Sequence, residues 1–243
     1  MTIPKDAERR RIFLMRHGSV TYFDDEGRPI RPDTVPLNEA GRAQATAAGK
    51  LFAAADIRFD RVIVSGLKRT VETAERVLAE TGHAPRIEIN AALREVEGGK
   101  LSDIPDAELR DAFTGALDGS VSEEKRFLGG ESIGTLLDRV IPEIDTLRAD
   151  ASWDIVLLVL HGGVNRALIS YLLTGERKFF GAVAQSPACI NAIDVGERKT
   201  DVALRMMNHS PLDPLQAATR KTTMEALYDQ YLKFRKRGIT NVQ

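Results

Sequence analysis

The sequence predicts an α/β fold in which helices cover both faces of a mainly parallel central sheet, a three-layer α/β/α sandwich. Short apolar runs typical of strands alternate along the chain with longer segments whose apolar residues recur at helical spacing. One run, Asp154–Leu160, is apolar on both faces, which indicates a central parallel strand. The length of 243 residues suits a single domain, 1–243, that carries an insertion.

The composition narrows the classes of partner. A formal net charge of −1 disfavours nucleic acid and membrane surfaces as partners. No apolar run is long enough to cross a bilayer, and residues 1–11 are not followed by the apolar core of a secretory signal. Cys189 is the single cysteine, which rules out an intrachain disulfide and favours a reducing, cytoplasmic compartment.

The first predicted strand is Ile12–Met15, four apolar residues in a row that are too few for a helix in water. It delivers Arg16, His17 and Gly18 at its end, where the glycine can break the extended backbone so that both polar side chains serve one ligand. Ligands of α/β folds bind at the carboxyl ends of sheet strands. For this tripeptide alone, a histidine bonded to backbone at the strand edge is the simpler interpretation.

A polar, turn-rich loop spans residues 19–36 and leads into a helix. Arg28 and Arg31 on this loop are either substrate contacts or, as the simpler interpretation, solvated charges. Asn38 is the expected N-cap of the helix. The apolar residues of the helix recur at helical spacing: Ala43, Ala47, Leu51 and Ala54. Its alanines predict close packing on the sheet.

The next elements are predicted to be a strand, a helix that Gly82 ends, and a short third strand: Arg61–Val64, Leu67–Glu80 and Arg86–Ile89. Arg69 lies in the first turn of the helix, where the helix dipole disfavours a positive charge unless an anion binds there. Its planar guanidinium matches phosphate with two parallel hydrogen bonds. We therefore expect Arg69 to bind an anion.

Residues 100–130 show only weak helical or strand periodicity and are predicted to form an insertion that caps the site. The alternative is a surface segment with no role at the site. A short helical piece is expected at Asp106–Phe113. Ser132 then caps a long helix that Pro142 is expected to bend.

The last third of the chain is predicted to complete the sheet and to add a C-terminal extension. After the Asp154–Leu160 strand comes a helix that stops at Gly175, and then a hairpin of Asn191–Val195 and Val202–Met207. An amphipathic helix is expected from Thr219 within an extension covering about 217–243. This helix either docks on the chain's own core or forms a dimer contact, and the sequence leaves both open.

Polar side chains stand at the ends of three predicted strands. His17 follows the first, Ser65 with Arg69 follows the second, and His161 follows the Asp154–Leu160 strand. Because parallel strands end at one edge of the sheet, residues far apart in the sequence are expected to converge there.

Four short motifs, in their order along the chain, resemble the histidine phosphatase superfamily, the phosphoglycerate mutase-like group with phosphatase and mutase branches. They are Arg16-His17-Gly18, Ser65-Gly66-Leu67-Lys68-Arg69-Thr70, Leu93-Arg94-Glu95 and His161-Gly162-Gly163. The resemblance covers roughly residues 11–195. It implies a phosphoglycerate mutase-like fold and phosphoryl transfer.

The resemblance also implies a role for each site residue. His17 would be the nucleophile that becomes a phosphohistidine, and Arg16, Arg69 and a protonated His161 would bind the phosphoryl group. Glu95 would be the proton donor. Three further positions are secondary candidates: Glu97 as the fallback acid, and Ser19 and Gly162 as substrate contacts. In the family, the glycine is commonly followed by a Thr or Ser and soon afterwards by an Asn. This chain reads Ser19-Val20-Thr21 there and does not match that pattern. The polar residue of this loop that would face the substrate therefore stays open.

The expected reaction needs no metal or other cofactor. The four histidines form no close pair, there is no cysteine cluster, and there is no Walker loop. We expect a phosphatase acting on a phosphorylated small molecule rather than a mutase. The resemblance implies that a mutase would carry a longer insertion with a paired-arginine motif between Glu95 and His161, whereas this interval has no Arg-Arg pair and only Lys125-Arg126 as adjacent cations. A mutase and a non-catalytic phospho-ligand-binding regulator are the alternatives, and a homodimer is left open.

Overall fold

The structure, a computed structural model, describes residues 9–24, 30–218 and 220–236. Arg28, Thr219 and the end of the predicted extension, 237–243, lie outside the described residues. The strands are β1 (Arg10–Arg16), β2 (Arg61–Val64), β3 (Ile87–Ile89), β4 (Ile155–Leu160), β5 (Ile190–Val195) and β6 (Val202–His209). The helices are α1 (Glu39–Ala54), α2 (Lys68–Thr81), α3 (Leu109–Thr114), α4 (Ile133–Ala149), α5 (Gly162–Thr174) and α6 (Thr223–Lys236).

The six strands form one sheet in the order β3-β2-β4-β1-β5-β6. β3, β2, β4 and β1 pair in parallel, whereas β5 runs antiparallel to β1 and β6 antiparallel to β5. β4 lies between β2 and β1 with all six residues buried, which explains why its sequence is apolar without alternation. The predictions of a mainly parallel sheet, a central fourth strand and a closing hairpin are confirmed.

Alternate residues of β1 pack into two different cores. Ile12 and Leu14 belong to the core under α4 and α5, while Phe13 and Met15 belong to the core under α1 and α2. A strand points successive side chains to opposite faces, so helices cover both faces of the sheet. The three-layer α/β/α architecture is confirmed.

The predicted apolar stripe of α1 is wrong, although the helix and its Asn38 cap are found. Ala43 and Ala54 are exposed, Ala47 is partly buried and Leu51 is 39% exposed. The buried positions are instead Gly41, Ala45, Ala48, Gly49 and Phe52. The reason is close backbone contact: a Cβ on Gly41 would lie 2.1 Å from the carbonyl oxygen of Ser19, and one on Gly49 would lie 2.7 Å from that of Val77 in α2. The inward face therefore carries these two glycines together with Ala45, Ala48 and Phe52, and not the four predicted positions.

The predicted cap consists of α3 and two single helical turns, Leu101–Asp103 and Gly115–Leu117. α6 packs on this cap, with the Phe113 ring centroid 5.4 Å from Tyr228 and 5.7 Å from Tyr231. α6 therefore docks on its own chain, and the homodimer stays a prediction. No helix in the described part of the chain has the length and apolar character needed to cross a membrane.

Candidate active site

The carboxyl ends of β1, β2 and β4 bring the predicted polar residues together. The backbone N–H of His17 donates to the carbonyl of Leu160 at 2.9 Å, so the two strand ends lie side by side. The rings of His17 and His161 are 5.3 Å apart between centroids, at 64° to each other. Arg69, in the first turn of α2, is only 2% exposed and acts electrostatically on both imidazoles.

His17 is held as a neutral imidazole with one nitrogen free. Its ring is buried, and Nδ1 lies 2.7 Å from the carbonyl oxygen of Gly18. A carbonyl can only accept, so Nδ1 must donate, and the lone pair of a neutral ring is on Nε2. Burial first, and then the charges of Arg69 and Arg16, hold the pKa of His17 well below 6.5. The ring is therefore in the protonation state that a nucleophile needs.

His161 makes a different contact. Its Nε2 lies 2.8 Å from the hydroxyl oxygen of Ser65, and its buried Nδ1 has no hydrogen-bond partner among the described residues. Burial first, and then His17, Arg69 and Arg16, hold the pKa of His161 well below 6.5. These surroundings favour the neutral ring, which departs from the protonated His161 that the resemblance implies. An anion beside Nδ1 would change this balance.

Arg16 and Arg69 are buried cations without a carboxylate partner in the part of the chain that the structure describes. Nη1 of Arg16 donates to the carbonyl of Gln185 at 2.6 Å and to Oγ1 of Thr223 at 2.8 Å. Nη1 of Arg69 donates to the carbonyl of Pro32 at 2.5 Å. The Nε atoms of both arginines are buried with no partner among the described residues. Buried charge left unpaired is costly, and a bound anion would remove that cost.

Arg166 of α5 is a third buried arginine at this site that sequence reasoning missed. It is 7% exposed, and it donates from Nη1 to the carbonyl of Gly162 and from Nε to that of Gly181, each at 3.0 Å. Burial, followed by the charge of Arg16, lowers its pKa to about 10. The only sequence signal was its position one helical turn after Gly162.

Gly162 lies between two of these guanidinium groups. A Cβ there would be 3.2 Å from Nη1 of Arg166 and 3.6 Å from Nε of Arg16. The residue lines the cavity, as its prediction as a substrate contact requires, and its lack of a side chain also leaves room for both cations.

Glu95 is positioned at the amino end of α5. Its carboxylate accepts from the backbone N–H of Gly163 at 3.0 and 3.2 Å and from that of Val96 at 3.0 Å. Glu95 lines the cavity, whereas Glu97 is exposed and is not on the cavity wall. The geometry favours Glu95 over Glu97 as the acid.

Arg139 of α4 holds the segment that carries Glu95. Its Nη1 donates to the carbonyls of Ala92 and Arg94 at 2.6 and 2.7 Å, and its Nη2 donates to that of Glu95 at 3.2 Å. Its guanidinium also pairs with Glu131, with Nε 2.8 Å from Oε1. Sequence reasoning missed this residue, because its partners are carbonyls that no sequence pattern marks.

A cavity of about 600 Å³ opens beside His17. The turn at Arg16–Ser19 forms one wall, and the Ser19 N–H that borders it donates to Oε1 of Gln44 at 2.9 Å. Apolar side chains of the cap and its neighbours form another wall: Ala116, Leu117, Phe127, Ile133 and Phe179.

The C-terminal segment closes the cavity with Arg220, Lys221, Thr222, Thr223, Met224 and Leu227. Sequence reasoning assigned this last wall to an extension rather than to the site. His161 and Arg69 are buried and are not among the residues of the cavity wall.

Metal-ligating side chains do not cluster here. Among the described residues, no three His, Cys, Asp or Glu side chains lie close enough to hold a metal ion together.

Comparison with known proteins identifies a family. The model of the histidine phosphatase superfamily (branch 1) matches residues 12–208. The chain is 28% identical over 197 residues to the metal-independent phosphoserine phosphatase of Arabidopsis thaliana, a match that covers 80% of each chain. It is 31% identical over 183 residues to the 2,3-bisphosphoglycerate-dependent phosphoglycerate mutase of Bartonella quintana, covering 67% of this chain and 81% of the relative.

A solved structure agrees with this match. That of a mycobacterial glucosyl-3-phosphoglycerate phosphatase is 25% identical and superposes with a TM-score of 0.64, covering 82% of this chain and 99% of that one. With some other curated relatives, the chain matches less than half of their length.

Proposed function

The chain belongs to the histidine phosphatase superfamily, and on this basis we propose that it hydrolyses a phosphate monoester through a phosphohistidine on His17. Its phosphatase relatives support phosphatase activity. The observation that carries the proposal is the hydrogen bond from His17 Nδ1 to the Gly18 carbonyl, because it leaves the lone pair of a buried, neutral imidazole on Nε2.

The reaction proceeds in two displacements. Nε2 of His17 attacks phosphorus while the ester bond to the alcohol breaks, and Glu95 gives its proton to the departing oxygen. A water molecule then attacks the phosphohistidine, Glu95 takes a proton from that water, and inorganic phosphate leaves with His17 neutral again. The position of Glu95 on the cavity wall supports this role.

Charge on the phosphoryl oxygens is neutralised by protein groups rather than by a metal. Arg16 and Arg69 supply buried N–H donors that lack carboxylate partners in the described ranges, and His161 supplies a buried ring nitrogen. Donors fixed in advance in a site of low polarity are often the largest catalytic contribution. The phosphoserine phosphatase relative, whose name describes it as metal-independent, supports this part of the proposal.

Release of phosphate from an aryl phosphate tests the proposal, with Glu95→Gln and Glu97→Gln as a matched pair. We expect His17→Ala to lose about a thousandfold or more of kcat and Glu95→Gln to lose about a hundredfold. Glu97→Gln should stay near wild type, because Glu97 is exposed and outside the cavity wall. Wild-type activity no greater than that of His17→Ala would reject the enzyme and favour the non-catalytic phospho-ligand binder.

Mutase activity is the second candidate, because one relative is named as a mutase. Hydrolysis is favoured since the adjacent cations of the cap are occupied elsewhere. Lys125 pairs with Asp111, and Nη1 of Arg126 donates to the carbonyl of Gly130 at 2.8 Å. Measuring phosphate release against isomer formation from a phosphoglycerate separates the two activities.

The substrate is proposed to be a phosphorylated small molecule with an apolar portion, because the cavity of about 600 Å³ has an apolar wall from the cap. A panel of phosphorylated sugars, glycerates and phosphopeptides, ranked by kcat/KM, would narrow the class of substrate.

We also propose a cytoplasmic location, because Cys189, the single cysteine, is a buried free thiol.

A further inference from the structure

Each histidine of the site has one ring nitrogen in a hydrogen bond, Nδ1 in His17 and Nε2 in His161, and the two partners differ in kind. His17 is held by a carbonyl oxygen, which can only accept a hydrogen bond. His161 is held by the hydroxyl of Ser65, which can donate or accept. A hydroxyl partner fixes the proton of a histidine only if its own hydrogen is already committed elsewhere.

The hydrogen of the Ser65 hydroxyl can be traced from its neighbours. The Thr70 hydroxyl donates to the carbonyl of Leu67 at 2.8 Å, so its hydrogen is used. Thr70 Oγ1 lies 3.1 Å from Ser65 Oγ and can therefore only accept there, which makes Ser65 the donor of that bond. The backbone N–H of Leu67 donates to Ser65 Oγ at 3.3 Å. The remaining bond of Ser65 is then accepted from Nε2–H of His161.

The opposite arrangement is less favourable. If Ser65 donated to Nε2, the proton of neutral His161 would be on Nδ1, which is buried and has no acceptor among the described residues. A buried N–H without an acceptor is rare in proteins, because it loses its hydrogen bonds to water and gains none in return. The directed chain His161–Ser65–Thr70–Leu67 uses every hydrogen and leaves only a lone pair on Nδ1.

We propose that Ser65 and Thr70 are positioning residues that hold a proton on Nε2 of His161, so that Nδ1 accepts the proton of a monoanionic phosphate ester. The proposal rests on the proposed phosphatase function. In this step the O–H bond of the phosphate's P–O–H group breaks and the Nδ1–H bond forms. The ester becomes a dianion and His161 an imidazolium, so the total charge is unchanged.

The groups around His161 explain why the proton must arrive with the anion. Burial is the main influence that disfavours a charge on the ring, followed by His17 and Arg16 at the end of β1, Arg69 on α2 and Arg139 on α4. A phosphate dianion beside Nδ1 offsets that repulsion. The second pKa of a phosphate monoester is about 6, so kcat/KM should fall about tenfold per pH unit above it.

Nitrogen NMR of the wild-type protein tests the proton position directly. In phosphate-free buffer we expect neutral His161 with its proton on Nε2, and neutral His17 with its proton on Nδ1. Adding inorganic phosphate should protonate both nitrogens of His161 and leave His17 unchanged. A proton on Nδ1 of His161 in phosphate-free buffer, or a His161 that stays neutral with phosphate bound, would overturn the inference.

Substitutions test the chain of hydroxyls. Ser65→Ala and Thr70→Val should each weaken phosphate binding and lower kcat/KM by about ten- to a hundredfold, and should flatten the decline of kcat/KM above pH 6. Thr70→Ser, which keeps the hydroxyl, should restore most of the loss. Thr81→Val, the matched change in the last turn of α2, should not change the pH profile.

The outcomes separate this inference from the proposed function. A wild-type enzyme that hydrolyses esters, together with a Ser65→Ala variant that keeps its pH profile and phosphate affinity, would overturn the role of the hydroxyls alone. A wild-type protein that neither binds phosphate nor hydrolyses esters would overturn the proposed function.

Discussion

Two adjacent glycines on α5 lie against two different side chains of the site. A Cβ on Gly162 would lie 3.2 Å from Nη1 of Arg166, while one on Gly163 would lie 2.6 Å from Oε1 of Glu95. We expect Gly162→Ala to raise KM about tenfold, and Gly163→Ala to lower kcat about tenfold by moving the acid, each near 1.4 kcal/mol. Steady-state kinetics of the pair, with circular dichroism to confirm folding, would reveal the split. Equal effects on KM and kcat in both variants would contradict it.

Residues of the site were predictable where they follow a strand or begin a helix. His17, Arg69 and His161 do so, and parallel topology then forces them together. Arg166 and Thr223 were not predictable, because their partners in the site, the Gly181 carbonyl and the Arg16 guanidinium, are brought close only by tertiary packing. Short polar contacts between distant residues leave no periodic trace in a sequence.

At the scale of elements, α1 shows where apolar spacing fails. The exposed alanines favour helix formation, but backbone contact at Gly41 decides the buried face. An Ala in place of Gly inside a helix normally stabilises it, whereas here Gly41→Ala should destabilise the protein by about 1–3 kcal/mol, because the new methyl meets the backbone of Ser19.

Gly41→Ala should also lower activity, since Ser19 follows the turn that carries His17. Urea unfolding and aryl phosphate hydrolysis measure the two effects. Ala43→Gly on the exposed face is the control, with a loss of about 1 kcal/mol from helix propensity and unchanged kcat. A Gly41→Ala protein as stable and active as wild type would show that the contact relaxes freely.

Docking of α6 on the cap links the packing of this helix to the shape of the cavity. Tyr231 is 9% exposed and packs on Phe113, and the same helix brings Thr223 and Leu227 to the cavity wall. Tyr231→Ala should therefore raise KM several-fold with a smaller change in kcat, because α6 loses part of its apolar contact. Lys233→Ala, an exposed change on the same helix, is the matched control. An unaltered KM in Tyr231→Ala would separate the helix from substrate binding.

For the molecule as a whole, the two buried histidines predict a loss of stability in acid. The pKa values of His17 and His161 are held well below 6.5, so below that pH the unfolded chain binds more protons than the folded one. Their contribution is complete above pH 6.5. It decreases as the pH falls, by up to about 1.4 kcal/mol per pH unit for each histidine.

Urea unfolding in phosphate-free buffer, followed by the fluorescence of buried Trp153, measures this slope. The double variant His17→Asn, His161→Asn should show a shallower decline between about pH 6.5 and pH 5. If the double variant and the wild type lose stability in parallel, the acid sensitivity comes from other groups.

The bond from Arg16 to Thr223 has a consequence for protein synthesis. The two residues are 207 positions apart, so the ribosome makes the first strand long before the helix that supplies the hydroxyl. All six strands of the sheet, the last of which ends at His209, are translated before α6, which supplies one wall of the pocket. A chain that terminates between β6 and α6 would hold every strand of the sheet but lack this wall, so we expect full phosphatase activity only from chains translated past it.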